Sequence, residues 1–193
     1  APPALAGAGQ SFLRLDFRDP ARAARPVVRA TRAAPFQAVI PTDDATVILA
    51  AHLAAALGLP HNALGAAEAT RDKHRMRLAL AQAGLPTPWF QLVSTADAPT
   101  AAASSVRYPC VLKPTCLSGS RGVIRADDAG QFAAAFARIR RLLDTLGLTE
   151  ILVEGYIPGR EYALEGLLCH GRLTVLAVFD KPDPLEGPFF EET

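Results

Sequence analysis

Apolar and polar positions change rhythm several times along the chain, and each change predicts an element. In "SFLRLDF" the alternation sets Phe12 against Leu13 and Leu15, as in a short strand. The Arg-rich segment from Arg18 to Arg32 reads as a surface helix or loop, and "FQAVIP" after it as a buried strand. Asp43 or Asp44 can cap a helix whose Leu49, Leu53 and Leu57 share one face, with Gly58 and Pro60 to end it. Strand, helix, strand, helix with short loops predicts a parallel sheet covered by helices.

The spacing predicts a second helix from Arg71 to Ala83, with Thr70 as N-cap, Gly84 as terminator and an apolar stripe of Met76, Ala79, Leu80 and Ala83. "LPTPWFQLV" then leads, stiffened by proline, into another strand and marks a domain boundary. From Tyr108 the order is strand, loop of small residues, strand ("GVIR"), helix, strand ("EILVEGY"). That helix starts at Asp127 or Asp128, carries Phe132, Phe136, Ile139, Leu143 and Leu146 at spacings of four and three, and stops at Gly147. "REYALEGLLCHGRLTVLAVFDKP" reads as two strands joined at His170-Gly171, an antiparallel hairpin. No internal repeat is visible.

Composition narrows the classes. With 193 residues, half of them hydrophobic, the chain can bury a core and form one or two compact domains. A formal net charge of +1 supplies no basic field for nucleic acid. Apolar runs break well before the ~20 residues that a membrane span needs. Cys110, Cys116 and Cys169 are odd in number and lack CxxC spacing, which fits free thiols in a reducing, cytoplasmic setting. Four scattered histidines give no zinc pattern. The ends point to an excerpt of a longer protein: the single methionine is Met76, "APPALAGAGQ" is too polar and too poor in positive charge for a signal peptide, and "GPFFEET" brings no turn or helix to close a core.

One compositional bias singles out residues. Of twenty basic residues only Lys73, Lys113 and Lys181 are lysines, the rest being arginine. A lysine that survives in such a background can be held for what a compact point charge does and a guanidinium does not. Lys113 ends a short apolar strand before "TCLSGSRG". There Gly119 and Gly122 let the backbone come close to a ligand, and Ser118 and Ser120 add donors, as phosphate oxygens require. The lysine precedes the glycines, so this is no Walker loop, and GxGxxG spacing is absent; a plain turn is the alternative. Lys73, with Arg71, falls in the first turn of its predicted helix, where two cations suit an anion site, a solvated charge being the alternative. In "ILVEGYIPGREY" a strand bearing Glu154 runs through Pro158-Gly159 to Glu161. The backbone at Tyr156 and Ile157 would be free to bond a base edge, and Glu161 could take two vicinal hydroxyls; an ordinary turn with a surface Glu is the alternative.

Taken together, "TRDKHRMRLALAQAGLPTP", "YPCVLKP", "SGSRGV" and "VEGYIPGREY" resemble the ATP-grasp superfamily in order and spacing, over about Ala69 to Thr193. Within it, "VLKPTCLSGSRGV" and "FDKPDPLEGPFFEET" look most like carboxylate–amine ligases of the amino-acid-ligase and carnosine-synthase type, near biotin carboxylase. The resemblance implies an α/β chain, α+β in the grasp lobes. Residues 1–92 would form a Rossmann-like domain that precedes the grasp, incomplete at its start, plus a linker helix. Residues 93–157 would form the small lobe with its lid loop, and residues 158–193 the truncated start of the C-terminal lobe.

For the site, the resemblance implies that Lys113 sits over the adenine and α-phosphate while the loop with Ser118, Gly119, Ser120 and Gly122 closes on the β- and γ-phosphates. Lys73 would meet the phosphates from the other lobe. Glu154, Tyr156 and Ile157 would line the adenine pocket, with Glu161 on the ribose. Lys181, beside Asp180, would face substrate or phosphate, an exposed lysine being the alternative. The implied partners are ATP, a small-molecule carboxylate and an amine, with neither nucleic acid nor membrane, and a homodimer is allowed. The implied Mg²⁺ ions cannot be assigned ligands in this chain; Glu191 and Glu192 come too early. Rival expectations are a nucleotide-binding module without catalysis and an ATP-grasp enzyme with another acceptor, such as bicarbonate.

Overall fold

The structure is a computed structural model in which residues 13–17, 19–31 and 35–181 are described. The chain divides into two units, Ala1–Ala79 and Leu80–Thr193, considered separately below.

In the N-terminal unit, helix α1 (Pro20–Ala30) starts where Asp19 accepts a hydrogen bond from the Arg22 amide at 2.9 Å, with Pro20 at its first position. Asp43 and Thr46 exchange side-chain and backbone bonds in a capping box that opens α2 (Val47–Ala56). Ala23, Ala24 and Val27 of α1 pack on Leu49 and Leu53 of α2, with Leu15, Val39 and Leu57 partly buried beside them. Small residues on α1 let the two helices approach closely.

Both strands expected here are absent from the described residues. Residues 13–16 and 35–36 run without a ladder, as do residues 38–41, and Phe12 lies outside the described residues. Leu15 and Val39 still bury apolar surface against the helix pair. A strand exists only through hydrogen bonds to a neighbour, which alternation cannot supply. No parallel pairing occurs among the described residues; both sheets are antiparallel.

The second predicted helix is α4 (Lys73–Gln82), starting two residues later than expected, and a helix that the pattern did not predict, α3 (Leu64–Arg71), precedes it. Thr70 is not the N-cap: its hydroxyl bonds the Ala67 carbonyl inside α3 at 2.7 Å. Asp72 caps α4 instead, accepting from the His74 and Arg75 amides at 2.9 and 3.0 Å. Gly84, at φ 72°, follows its end.

The C-terminal unit is built on a four-stranded antiparallel sheet in the order β1-β4-β2-β3: β1 (Phe90–Ser94), β2 (Cys110–Pro114), β3 (Ile124–Ala126) and β4 (Glu150–Gly155). One face carries Val93, Cys110, Leu112, Ile124, Ala126, Ile151 and Val153. It packs on the short helix α5 (Pro99–Ser104) and on Phe132, Phe136, Ile139 and Leu143 of α6 (Ala129–Asp144). The predicted α6 stripe is the one that burial selects, except that Leu146 lies past the helix end and is 44% exposed. Asp128 is the cap, bonding the Gln131 amide at 2.9 Å. Strands β5 (Tyr162–Cys169) and β6 (Arg172–Asp180) form a separate hairpin. Its two turn residues, His170 and Gly171, both have positive φ, 50° and 76°, matching the twist of the paired strands.

Candidate functional site

The sheet face turned away from α6 carries the chemistry. Register sets Arg125, Val111, Glu154 and Phe90 side by side across β3, β2, β4 and β1, with Lys113, Leu152 and Leu92 in the next row. The Lys113 ammonium donates to the Glu154 carboxylate across the β2–β4 pair. Glu154 is only 4% exposed. Burying a carboxylate is costly unless it is paired, and Lys113 is a cation paired with it. Lys113 is thus held at the mouth of the loop by a salt bridge 41 residues away in sequence.

The loop turns on Gly119, Ser120 and Gly122, with φ of 61°, 51° and 76°. Its Arg121 and Val123 amides fold back onto the Ser118 and Ser120 carbonyls at 3.4 and 3.0 Å. The two glycines differ. A Cβ on Gly119 would meet open space, as close approach of a ligand requires. A Cβ on Gly122 would come within 3.0 Å of Pro114 and 3.1 Å of Leu142, so packing beneath the loop already demands glycine there.

Past β4 the chain is tied down. The Gly155 amide donates to the Trp89 carbonyl at 2.9 Å, and a Cβ on Gly155 would sit 2.7 Å from the Trp89 indole nitrogen. The Tyr156 amide, expected to be free for a base edge, donates to the Pro109 carbonyl at 3.1 Å. Ile157 is 67% exposed. The Arg125 guanidinium lies over the Tyr156 ring, 4.0 Å from its centroid, and its Nε is held by Asp127 at 2.7 Å. Sequence reasoning missed Arg125; the signal was its place on the strand after the loop, in register with Val111 opposite Glu154.

At the base of the hairpin Glu161 accepts from Lys181 at 2.8 Å, and Arg160 bonds both oxygens of Asp180. Lys181 thus meets Glu161, the residue expected on the ribose. Lys73 opens α4 in the N-terminal unit. The expected pairing of Arg71 and Lys73 in one first turn is corrected: Arg71 closes α3 and bridges to Asp44 at 3.1 Å. Asp72 puts a carboxylate on the α4 amides, the position an anionic ligand would take.

Burial pushes the Cys110 thiol up to about 12, helped by the charge of Asp127, so it is an inert core group and not a nucleophile. Burial first, then the charges of Cys110 and Asp128, raise Tyr108, whose hydroxyl bonds the Ala103 carbonyl at 2.8 Å. All three cysteines are free. Among the described residues no group of three His, Cys, Asp or Glu could hold a metal ion. Among them, too, no helix is long and apolar enough to cross a membrane.

Comparison with known proteins matches residues 106–193 to the ATP-grasp domain and residues 1–61 to the ATP-grasp N-terminal domain. The chain is 33% identical over 110 residues to a D-alanine–D-alanine ligase of Laribacter hongkongensis, covering 56% of this chain and 34% of that one. It is 28% identical over 145 residues to an alanine–anticapsin ligase of Bacillus amyloliquefaciens, covering 65% and 30%. Among solved structures, an L-amino acid ligase from Bacillus licheniformis superposes with a TM-score of 0.69 at 30% identity, over 93% of this chain and 41% of that one. The chain spans about a third of the length of these curated relatives. The lysine-led glycine loop, the Glu154 strand and both domain matches agree: the chain belongs to the ATP-grasp superfamily.

Proposed function

We propose that this chain is the nucleotide-binding part of an ATP-dependent ligase that joins a carboxylate to an amine through an acyl phosphate. One observation carries the reading: a buried carboxylate holds a lysine at the mouth of a glycine-turned loop, a cation aimed where phosphate would enter. In this reading residues 93–157 form the small lobe, residues 158–193 begin the C-terminal lobe, and residues 1–92 precede them.

Lys113 and the amides around Gly119 neutralise and orient the phosphates, with Ser118 and Ser120 as further donors and Gly122 fixing the turn. The Glu154–Ile157 segment meets the base, and Glu161 meets the ribose. Lys73 approaches the phosphates from the preceding segment, and Lys181 lies near the transferring group. The substrate carboxylate attacks the γ-phosphorus, ADP leaves, and the amine displaces phosphate from the acyl phosphate. Such transfer relies on positioning and charge neutralisation, which explains why a lysine and a loop suffice without a nucleophile triad. Mg²⁺ would add charge neutralisation when bound with ATP. The named activities of the relatives support this acceptor class, and a reducing, cytoplasmic setting suits the free thiols.

The test uses the chain extended to the length of its relatives. ATP turnover to ADP and phosphate is expected only with both a carboxylate and an amine, and hydroxylamine should trap a hydroxamate. Release of AMP and pyrophosphate would overturn the reading.

A further inference from the structure

We propose that Arg125 is a positioning residue for the base pocket, acting through the ring of Tyr156. The inference rests on the nucleotide reading above and adds to it a residue that the site's sequence motifs do not contain.

Arg125 lies three residues beyond Gly122, on the strand that leaves the loop. Tyr156 lies two residues beyond Glu154, on the segment proposed to meet the base. Arg125 is on β3 and Tyr156 directly follows β4; these two strands do not pair, and β2 runs between them. Their side chains close that gap, with the guanidinium 4.0 Å from the ring centroid. Both halves are fixed independently. Asp127 holds the Nε edge of Arg125 at 2.7 Å, and the Asp127 amide is itself bonded to Gln131 Oε1 at 2.9 Å, at the start of α6. On the other side the Tyr156 amide is bonded to Pro109 at 3.1 Å.

A guanidinium held along one edge presents its flat face, the geometry that stacks on an aromatic ring. Tyr156 therefore stands as a wall beside the Lys113–Glu154 pair, at an orientation set by β3. A shift of the loop would be felt at the base-reading segment through this stack. The ligand chemistry it serves is the aromatic base of a purine nucleotide, not the phosphate chain.

The experiment again uses the extended chain and compares the affinity of ATP with that of inorganic tripolyphosphate, each by competition against a fluorescent ATP analogue. Arg125→Ala should weaken ATP by about three- to tenfold, the size of a cation–π contact, and leave tripolyphosphate unchanged, so their ratio falls. Arg125→Lys and Tyr156→Phe keep a cation and a ring and should restore most of the ratio. Tyr156→Leu should match Arg125→Ala, and the double variant should lose no more than either alone. If ATP and tripolyphosphate weaken together, or the ratio stays at its wild-type value, Arg125 has no role in positioning the base. If the wild-type protein binds no ATP, the nucleotide reading itself falls. The two failures are distinguishable.

Discussion

The four-stranded sheet and the β5–β6 hairpin are both antiparallel and both rich in Leu and Val, yet they end in opposite states. On the sheet, Leu112, Ile151 and Val153 are sealed at 0% exposure, most of the cover coming from α6. On the hairpin, Leu168, Leu176 and Val178 stand at 73%, 63% and 60%. The sheet has a helix whose stripe matches its face. The hairpin has its ladder, a well-chosen turn and the ion pairs at its base. Two strands alone are marginal in water, so the hairpin's order here is owed to local bonds and the sheet's to burial. Alternation tells which side chains seek cover, not whether cover arrives.

That contrast can be broken by mutation. Phe136→Ala should remove about 3–5 kcal/mol, because a fully buried ring leaves a cavity that neighbours cannot close. Leu168→Ala on the open hairpin should change stability by no more than about 0.5 kcal/mol. Urea unfolding of the chain measures both; comparable losses would mean that the hairpin is buried in solution.

Charge sharpens the same comparison. Lys113→Ala removes the cation bonded to the buried Glu154 carboxylate and should cost about 3 kcal/mol, part of it regained by adding Glu154→Gln. Lys181→Ala breaks the more exposed pair with Glu161 and should cost under about 1 kcal/mol. In the extended chain, Lys113→Ala should also weaken ATP by roughly ten- to a hundredfold, the worth of a charge-assisted contact. Unchanged calorimetric affinity would remove Lys113 from the nucleotide site.

A separate test lies in pH. Cys110 is raised from 9.0 to about 12 by burial and then by Asp127. Below about pH 9 both folded and unfolded chains keep that proton, and the fold has its full stability. Between pH 9 and 12 the unfolded chain ionises there while the folded chain keeps its proton, so stability falls as pH rises through that window. Cys110→Ala should flatten that decline, with Tyr108 supplying part of what remains. An identical alkaline slope in the variant would show that the thiol is not sealed in the sheet core.

Much of the C-terminal unit was legible. The α6 stripe, the strands around the lysine-led loop and the His170-Gly171 turn each have a local signature, a period or a pair of residues tolerant of positive φ. Elements defined by partnership were not. "FQAVIP" carries apolar residues as a buried strand does, but no neighbour among the described residues pairs with it. The α3 segment is Ala-rich and short, so it showed no stripe, and missing it moved the cap from Asp72 to Thr70. That error placed Arg71 and Lys73 in one turn. At the site, Lys113 and the loop were readable from composition, whereas the Lys113–Glu154 bridge and the Arg125–Tyr156 stack depend on register between distant strands. The commitment of the Tyr156 amide to Pro109 depends on it too.

Trp89 is the only tryptophan of the chain, and its indole lies against Gly155, where β4 gives way to Tyr156. The chain thus carries a single indole fluorophore beside the segment proposed to meet the base. Its emission reads the polarity at that strand end without any label. A change in colour on adding a ligand would report movement at Gly155 itself, undiluted by signal from elsewhere in the chain.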